Sequence, residues 1–252
     1  MFNPLDLRNK RFIVTGAASG IGRACALYLS KLGADLLLLD LNGDQLTVTK
    51  QECSTSVITI AIDLTDSNLL RESILKDVET NGSLDGMVHC AGVTYISPLK
   101  MVNEDKIMNV FKVNTYAGVE LAKLFTNKKV FRNQTGSIVF ISSVYGIVGS
   151  AANVGYALSK GAILSMTKSL AIELASKGLR VNCIAPGFVK TEMAEGINSN
   201  FDENYDNYIK SLHPLGWGKP EYIASAIAFL LSDMSIWITG ATLSVDGGFT
   251  AQ

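Results

Sequence analysis

Phe12-Ile13-Val14-Thr15-Gly16-Ala17-Ala18-Ser19-Gly20-Ile21-Gly22 is the stretch on which the reading of the fold turns. Its first three residues are apolar without alternation, which reads as a strand buried on both faces. The glycines follow at once, and behind them residues 23–32 carry apolar side chains at helical spacing. Glycines between a strand and a helix let the backbone turn tightly and approach a pyrophosphate, which then sits at the positive helix N-terminus. The spacing is G-x-x-x-G-x-G, not the commoner G-x-G-x-x-G, so the turn draws its weight from its place between strand and helix.

The same rhythm runs outward along the chain. Residues 34–39, 57–62, 87–90, 138–141, 181–185 and 243–245 are further short apolar runs. Between them, 67–79, 104–125, 156–175 and 221–231 show helical spacing. Unbroken apolar strands alternating with helices predict βαβ units and a doubly wound α/β fold. No repeat or Pro/Gly-rich linker divides the sequence, so one domain over 1–252 is expected. Residues 190–217 break the rhythm with polar and acidic residues, then place Phe201, Tyr205, Tyr208, Ile209 and Leu212 on one stripe. That excursion is a candidate substrate lid; an ordinary surface helix packed on the core is the alternative.

Composition narrows the function. The chain is 48% hydrophobic with a mean hydropathy of +0.25. Its apolar strings nevertheless stay short, as in 36–39, against the roughly 18 residues a membrane helix needs. Lys and Arg number 22 against 23 Asp and Glu, with no basic run, so no nucleic-acid or membrane partner is expected. The first residues show no export signal, and a cytoplasmic location is the expectation. Cys25, Cys53, Cys90 and Cys183 lie far apart without C-x-x-C and read as buried thiols. With His89 and His213 the only histidines, neither a metal centre nor a Ser-His-Asp triad is expected, and G-x-S-x-G is absent.

Asp40 closes the second apolar run, 20 residues beyond Gly20. A carboxylate there can bond adenosine ribose hydroxyls, and its charge would repel a 2′-phosphate. Ser19 and Leu41 beside it supply no cation, so NAD(H) is favoured over NADP(H). Tyr156 and Lys160 are four apart on one helix and share a face. Lowering a tyrosine from pKa ~10 to ~7 takes roughly 4 kcal/mol. A cation ~5 Å away at an effective dielectric of ~20 contributes roughly 3 kcal/mol. Lys160 is thus expected to supply most of that shift, and an oxidised nicotinamide the remainder.

Together these features resemble the short-chain dehydrogenase/reductase family, in its members of about 250 residues, over essentially the whole chain. The resemblance rests on the turn from Thr15 to Gly22, Asp63-Leu64, Ala91-Gly92 and Asn114. It continues through Ser143, with Tyr156 thirteen residues on and Lys160 four after that, then Pro186-Gly187, Thr191 and Ser244-Val245-Asp246-Gly247-Gly248. It implies a seven-stranded Rossmann sheet with helices on both faces and the cofactor across the strands' carboxyl ends. It implies a catalytic set of Asn114, Ser143, Tyr156 and Lys160, with Tyr156 as general acid in reduction and base in oxidation. Ser143, not its neighbour Ser142, would hold the substrate oxygen. Lys160 would bind the nicotinamide ribose and Asn114 a water of the proton relay.

By the same resemblance the cofactor would rest on Thr15, Gly16, Ser19, Gly20, Ile21, Gly22, Asp40, Asp63, Leu64, Cys90, Ala91, Gly92, Tyr156, Lys160, Pro186, Gly187, Val189 and Thr191. A homotetramer is implied. Within the family the chain looks most like 3-oxoacyl-acyl-carrier-protein reductases. Those typically use NADPH and dock an acidic carrier through arginines, where this chain has Asp40, Gln134, Lys177 and the acidic Glu195, Asp202, Glu203 and Asp206. Sugars, hydroxysteroids and hydroxy acids therefore stay open as substrates, as does a non-catalytic NAD(H) sensor. The family's usual asparagine before Ala91-Gly92 is replaced by Cys90, read as a small buried hydrophobe, with a reactive thiol as alternative. His89 reads as a satisfied strand-end histidine and His213 as an exposed loop residue.

Overall fold

The computed structural model describes residues 5–131, 135–197 and 203–252. Seven strands form one parallel sheet: β1 (Arg11–Thr15), β2 (Asp35–Asp40), β3 (Val57–Ala61), β4 (Gly86–His89), β5 (Gly136–Ile141), β6 (Leu179–Pro186) and β7 (Thr242–Val245). Their order is β3-β2-β1-β4-β5-β6-β7. The chain therefore winds one way through β1, β2 and β3, returns to the centre, and winds the other way from β4. The reversal lies between β1 and β4, where Thr15 stands opposite His89. Ligands of open α/β sheets bind outside the carboxyl ends of the strands at such a point.

Both faces of the sheet are covered, which explains the unbroken apolar strands. Ile13, Leu37, Met87, Ile138 and Val181 point into one core with α3 (Ser67–Asn81), α5 (Ala117–Leu124) and α6 (Val154–Ala175). Phe12, Val14, Leu36, Leu38, Val88 and Val139 point into the other, against α1 (Gly20–Lys31), α2 (Gly43–Glu52) and α9 (Pro220–Leu231). Each fully buried Leu, Ile or Phe contributes about 1.5–3 kcal/mol before entropy is counted. The helices start where short polar residues cap them: Asn42, Asp66 and Asn103 accept the backbone N–H of Gln45, Leu69 and Lys106.

Two elements differ from the sequence expectation. α2 carries a thin apolar face, Leu46 and Thr49 being its buried residues, and its period is hidden among polar side chains. The helical stretch expected over 104–125 is α4 (Glu104–Phe111) and α5 joined by a π turn, Lys112–Tyr116. Such single-turn widenings concentrate at functional sites. After β6 come α7 (Glu192–Ile197) and α8 (Glu203–Leu212), with Ile209 of the expected stripe buried and Tyr208 exposed. Phe201 lies outside the described residues.

The β4–β5 pairing is close enough to require glycine at its start. A Cβ on Gly86 would lie 2.0 Å from the Ser137 carbonyl oxygen across the strand gap. Gly86→Ala is expected to destabilise the protein by about 3 kcal/mol or more, read as a lowered urea midpoint.

Candidate active site at the strand-order reversal

The glycine turn after β1 is built without room for side chains. A Cβ on Gly16 would lie 2.8 Å from the Ala91 nitrogen, and one on Gly22 2.0 Å from the Gly16 oxygen. Gly16 also has φ +65°, a conformation that glycine adopts freely. The turn opens a groove of about 330 Å³ along the carboxyl ends of the strands. Its walls include Gly16, Ser19, Gly20, Ile21, Gly22, Asp40, Asp63, Leu64, Cys90, Ala91, Gly92 and Thr191. These are most of the residues expected to hold a dinucleotide, and the bare backbone of the turn suits a pyrophosphate at the N-terminus of α1.

Asp40 sits at the groove's far end, held by two backbone donors: Ala18 N–H gives 3.0 Å to Oδ2 and Asn42 N–H gives 3.0 Å to Oδ1. Asp63 turns one oxygen to the N–H and hydroxyl of Thr65, each at 2.8 Å. No lysine or arginine is among the described groove walls.

Thr15 is placed differently from the expectation. It is fully buried beneath the turn, where its hydroxyl accepts the Ala91 N–H at 3.1 Å and donates to His89 Nδ1 at 2.9 Å. His89 Nε2 in turn donates to the Val113 carbonyl at 3.2 Å. A neutral imidazole has one donor and one acceptor, and both are used here. Burial and the Lys160 charge push the His89 pKa down to about 4. Val113 lies in the π turn, so His89 ties the glycine turn to the residue before Asn114. Cys90 is half-buried, packs against the core beneath α1 and borders both cavities of the site.

The Asn114 side chain is fully engaged. Its Oδ1 accepts Val93 N–H at 2.7 Å, and its Nδ2 donates to the Val93 carbonyl and the Ser159 hydroxyl, both at 3.0 Å. It thereby clamps the loop after β4 onto α6. A Cβ on Gly92 would come within 3.2 Å of Asn114 Oδ1 and 3.4 Å of Lys160 Nζ, so glycine leaves both side chains undisturbed.

A second cavity of about 380 Å³ adjoins the groove, and Ser143, Tyr156 and Lys160 all border it. Lys160 Nζ donates to the Ile141 carbonyl at 2.8 Å and lies 5.7 Å from the centre of the Tyr156 ring. Burial lowers its pKa to about 8, so it stays mostly charged at neutral pH. Burial also pushes the Tyr156 hydroxyl above the usual phenol range, opposed by its hydrogen bond with Ser143. Desolvation is the largest influence on this phenol. The two serines separate cleanly. Ser142 donates to the Lys160 carbonyl at 2.8 Å, while Ser143 borders the cavity together with Tyr156.

Pro186, Gly187, Val189 and Thr191 border the same cavity. Sequence reasoning missed its aromatic end. Phe188 packs edge-on against Tyr145, His213 and Trp217, with centroids 5.7, 5.3 and 6.3 Å away. His213 is corrected from exposed to buried, at 1% exposure. Its Nδ1 donates to the Ile209 carbonyl at 2.9 Å and its Nε2 accepts Phe188 N–H at 3.2 Å. A histidine between α8 and the turn after β6 looks exposed in sequence because both partners are backbone atoms. Asp206 pairs with Lys210 and accepts the Trp217 indole N–H at 2.7 Å. Among the described residues no cluster of His, Cys, Asp or Glu could hold a metal, and no helix is long and apolar enough to cross a membrane.

A Rossmann sheet with a dinucleotide groove beside a tyrosine-lysine pair defines a nicotinamide-dependent oxidoreductase. Known proteins agree. A family model described as enoyl-(acyl carrier protein) reductase matches residues 16–250. The 3-oxoacyl-(acyl-carrier-protein) reductase FabG of Thermotoga maritima is 35% identical over 97% of this chain and 99% of its own. A structure described as an NAD(P)-dependent gluconate 5-dehydrogenase from Beutenbergia cavernae, with bound NADP, superposes with TM-score 0.92 at 30% identity, covering 99% and 100%. One of a 4-hydroxyisoleucine dehydrogenase complexed with NADH gives TM-score 0.86 at 32% identity, covering 97% and 100%. The chain belongs to the short-chain dehydrogenase/reductase family and is an NAD(P)-dependent oxidoreductase.

His89 carries a pH signature. Its pKa falls from 6.5 unfolded to about 4 folded, so the stabilisation from the neutral ring is complete above 6.5 and lost as pH drops towards 4. That loss is about 3 kcal/mol. Urea unfolding at pH 7 and pH 4 is expected to show it, and His89→Asn to reduce the difference between the two pH values by that amount.

Proposed function

We propose that this protein interconverts a ketone and a secondary alcohol with NAD(H), taking 3-oxoacyl thioesters as substrates, with Tyr156 as the general acid and base. The observation that carries the reading is that Ser143 and Tyr156 border one cavity, with the Lys160 ammonium 5.7 Å from the centre of the Tyr156 ring. A carbonyl oxygen held between the two hydroxyls receives a hydrogen bond from Ser143 as charge grows on it. Tyr156 then delivers its proton to that oxygen. The Lys160 charge, fixed by the Ile141 carbonyl, stabilises the phenolate left behind. Ser142 and the Asn114 clamp hold α6 and the loop after β4 at the spacing this transfer requires.

The nicotinamide cofactor, when bound, supplies or takes up the hydride. The glycine turn would hold its pyrophosphate, Asp40 its adenosine ribose, Asp63 and Leu64 its adenine, and Pro186, Gly187, Val189 and Thr191 its carboxamide end. A fixed carboxylate and the absence of a cation along the described groove walls favour NAD(H) over the 2′-phosphorylated form. Thr191, Met193, Ala194, Tyr208 and Ile209 of the candidate lid border the substrate cavity, which supports a lid role for the described residues around them. The 3-oxoacyl assignment leans on the Thermotoga maritima relative. The gluconate dehydrogenase likeness makes polyhydroxy acids the second reading. The bare Trp237, at 97% exposure, and Ile236 near β7 suit the subunit contacts of a tetramer.

Steady-state rates with acetoacetyl thioester test the chemistry. Tyr156→Phe is expected to lower kcat by about 10²–10⁴-fold with binding retained. Comparing NADH with NADPH tests the cofactor reading. NADH should be the better substrate, and Asp40→Ala should shift kcat/KM towards NADPH by about tenfold or more, as removal of a repelling charge predicts. Reduction should also slow above about pH 8, where Lys160 loses its proton.

A further inference from the structure

His213 is not among the described residues that wall either cavity, yet it lies directly behind one of them. The turn after β6 supplies Pro186, Gly187, Phe188 and Val189 to the cavity that Ser143, Tyr156 and Lys160 border. Behind that turn the His213 ring accepts the Phe188 N–H at Nε2, at 3.2 Å, and donates from Nδ1 to the Ile209 carbonyl at 2.9 Å. Both partners are backbone atoms whose roles cannot change, so they fix which ring nitrogen carries the hydrogen. The ring is buried, so breaking either bond would leave a polar atom without water to replace it.

Its orientation is set from a third direction. The ring stacks on Phe249, with centroids 5.0 Å apart and 21° between the planes, and meets Phe188 edge-on. Phe249 belongs to a segment that is itself braced: Asp246 Oδ2 accepts the Thr250 N–H at 2.8 Å, and the Gly247 carbonyl accepts the Leu215 N–H at 3.0 Å. One side chain thus joins α8, the turn after β6 and residues 246–250.

Ring and turn are in close contact. A Cβ on Gly187 would lie 2.8 Å from His213 Nε2 and 2.9 Å from the Asp246 Cα. The turn is also held at its ends, where the Gly187 N–H reaches the Val245 carbonyl at 3.1 Å and the Phe188 carbonyl accepts the Gly218 N–H at 2.9 Å. Between those supports, the peptide joining Gly187 to Phe188 rests on His213. Close packing passes a displacement of the ring on to that peptide.

We propose that His213 is a positioning residue for the nicotinamide end of the cofactor, holding the peptide between Gly187 and Phe188 where the cavity receives that ring. This deepens the oxidoreductase reading and rests on its assignment of Pro186, Gly187, Val189 and Thr191 to the carboxamide. A residue that touches no ligand acts in this way by keeping the groups that do at productive spacing. The residues assigned to the adenosine half, Asp40, Asp63 and Leu64, follow β2 and β3, on the other side of the strand-order reversal.

Calorimetry with NADH and with ADP-ribose, which keeps both riboses and the pyrophosphate but lacks the nicotinamide ring, tests this without turnover. His213→Leu should weaken NADH about tenfold, the scale of one buried hydrogen bond, and leave ADP-ribose within about twofold. His213→Gln, which retains an acceptor for the Phe188 N–H, should recover part of the NADH loss. Phe249→Leu removes the stacking surface and leaves both hydrogen bonds; it should show a smaller loss, again for NADH alone, and carries the test if His213→Leu does not fold. Equal losses for NADH and ADP-ribose, undiminished NADH binding in His213→Leu, or no recovery in His213→Gln would each overturn the proposal while leaving the oxidoreductase reading in place. Wild-type protein that binds ADP-ribose as tightly as NADH would overturn the assignment of this turn to the carboxamide, and the proposal with it.

Discussion

A line of hydrogen bonds crosses the molecule where the sheet reverses direction, and the site hangs on it. It runs from the Ala91 amide to the Thr15 hydroxyl, from there to the His89 ring, and from the ring to the Val113 carbonyl. Each member belongs to a different functional piece: the loop after β4, the glycine turn, the central strand and the π turn. None of the three polar contacts can be exchanged for water, because Thr15 and His89 are buried. The neutral ring is well suited to the place, since it is a donor at one end and an acceptor at the other. A protonated ring would offer two donors to a position that needs one.

From that line the site spreads in two directions with opposite electrostatic character. Towards β2 and β3 the groove ends at the Asp40 and Asp63 carboxylates, held by backbone and hydroxyl donors. Towards β5 and β6 the cavity holds a lysine whose desolvation is offset by a carbonyl and not by a carboxylate. Removing a carboxylate partner keeps the ammonium available to a developing phenolate, at the expense of a lowered pKa. At the aromatic end Phe188 and Tyr145 border the cavity, and the His213 ring packed on Phe188 has both nitrogens paired to the backbone.

Much of this was legible before any coordinates. The strands declared themselves because both sheet faces are covered, so no polar residue interrupts 36–39 or 138–141. The glycine turn, Asp40, Ser143, Tyr156 and Lys160 could be placed because their spacings follow the strand ends. The parts that escaped depend on backbone atoms, which leave no residue-type signature. His213 looks like a loop histidine until the Ile209 carbonyl and Phe188 amide are seen around it. Asn114 shows an amide in a helix but not the π turn that presents it. The Tyr156 hydroxyl carries a further influence that a pairwise charge argument omits, the desolvation that raises its pKa.

The pairing of β1 with β4 also bears on how the chain reaches this state. Thr15 and His89 are 74 residues apart, with two complete strand-helix units between them. The central contact of the sheet is thus a long-range one, whose loop entropy must be met before its packing is gained. The segments joined at the site reach from Thr15 to Thr191, so local helix formation brings almost none of it together. β2 alone supports one side of the glycine turn, through Leu39 and Asp40, and the other side waits for β4. β4 is the strand on which the two halves of the sheet, β3-β2-β1 and β5-β6-β7, are joined.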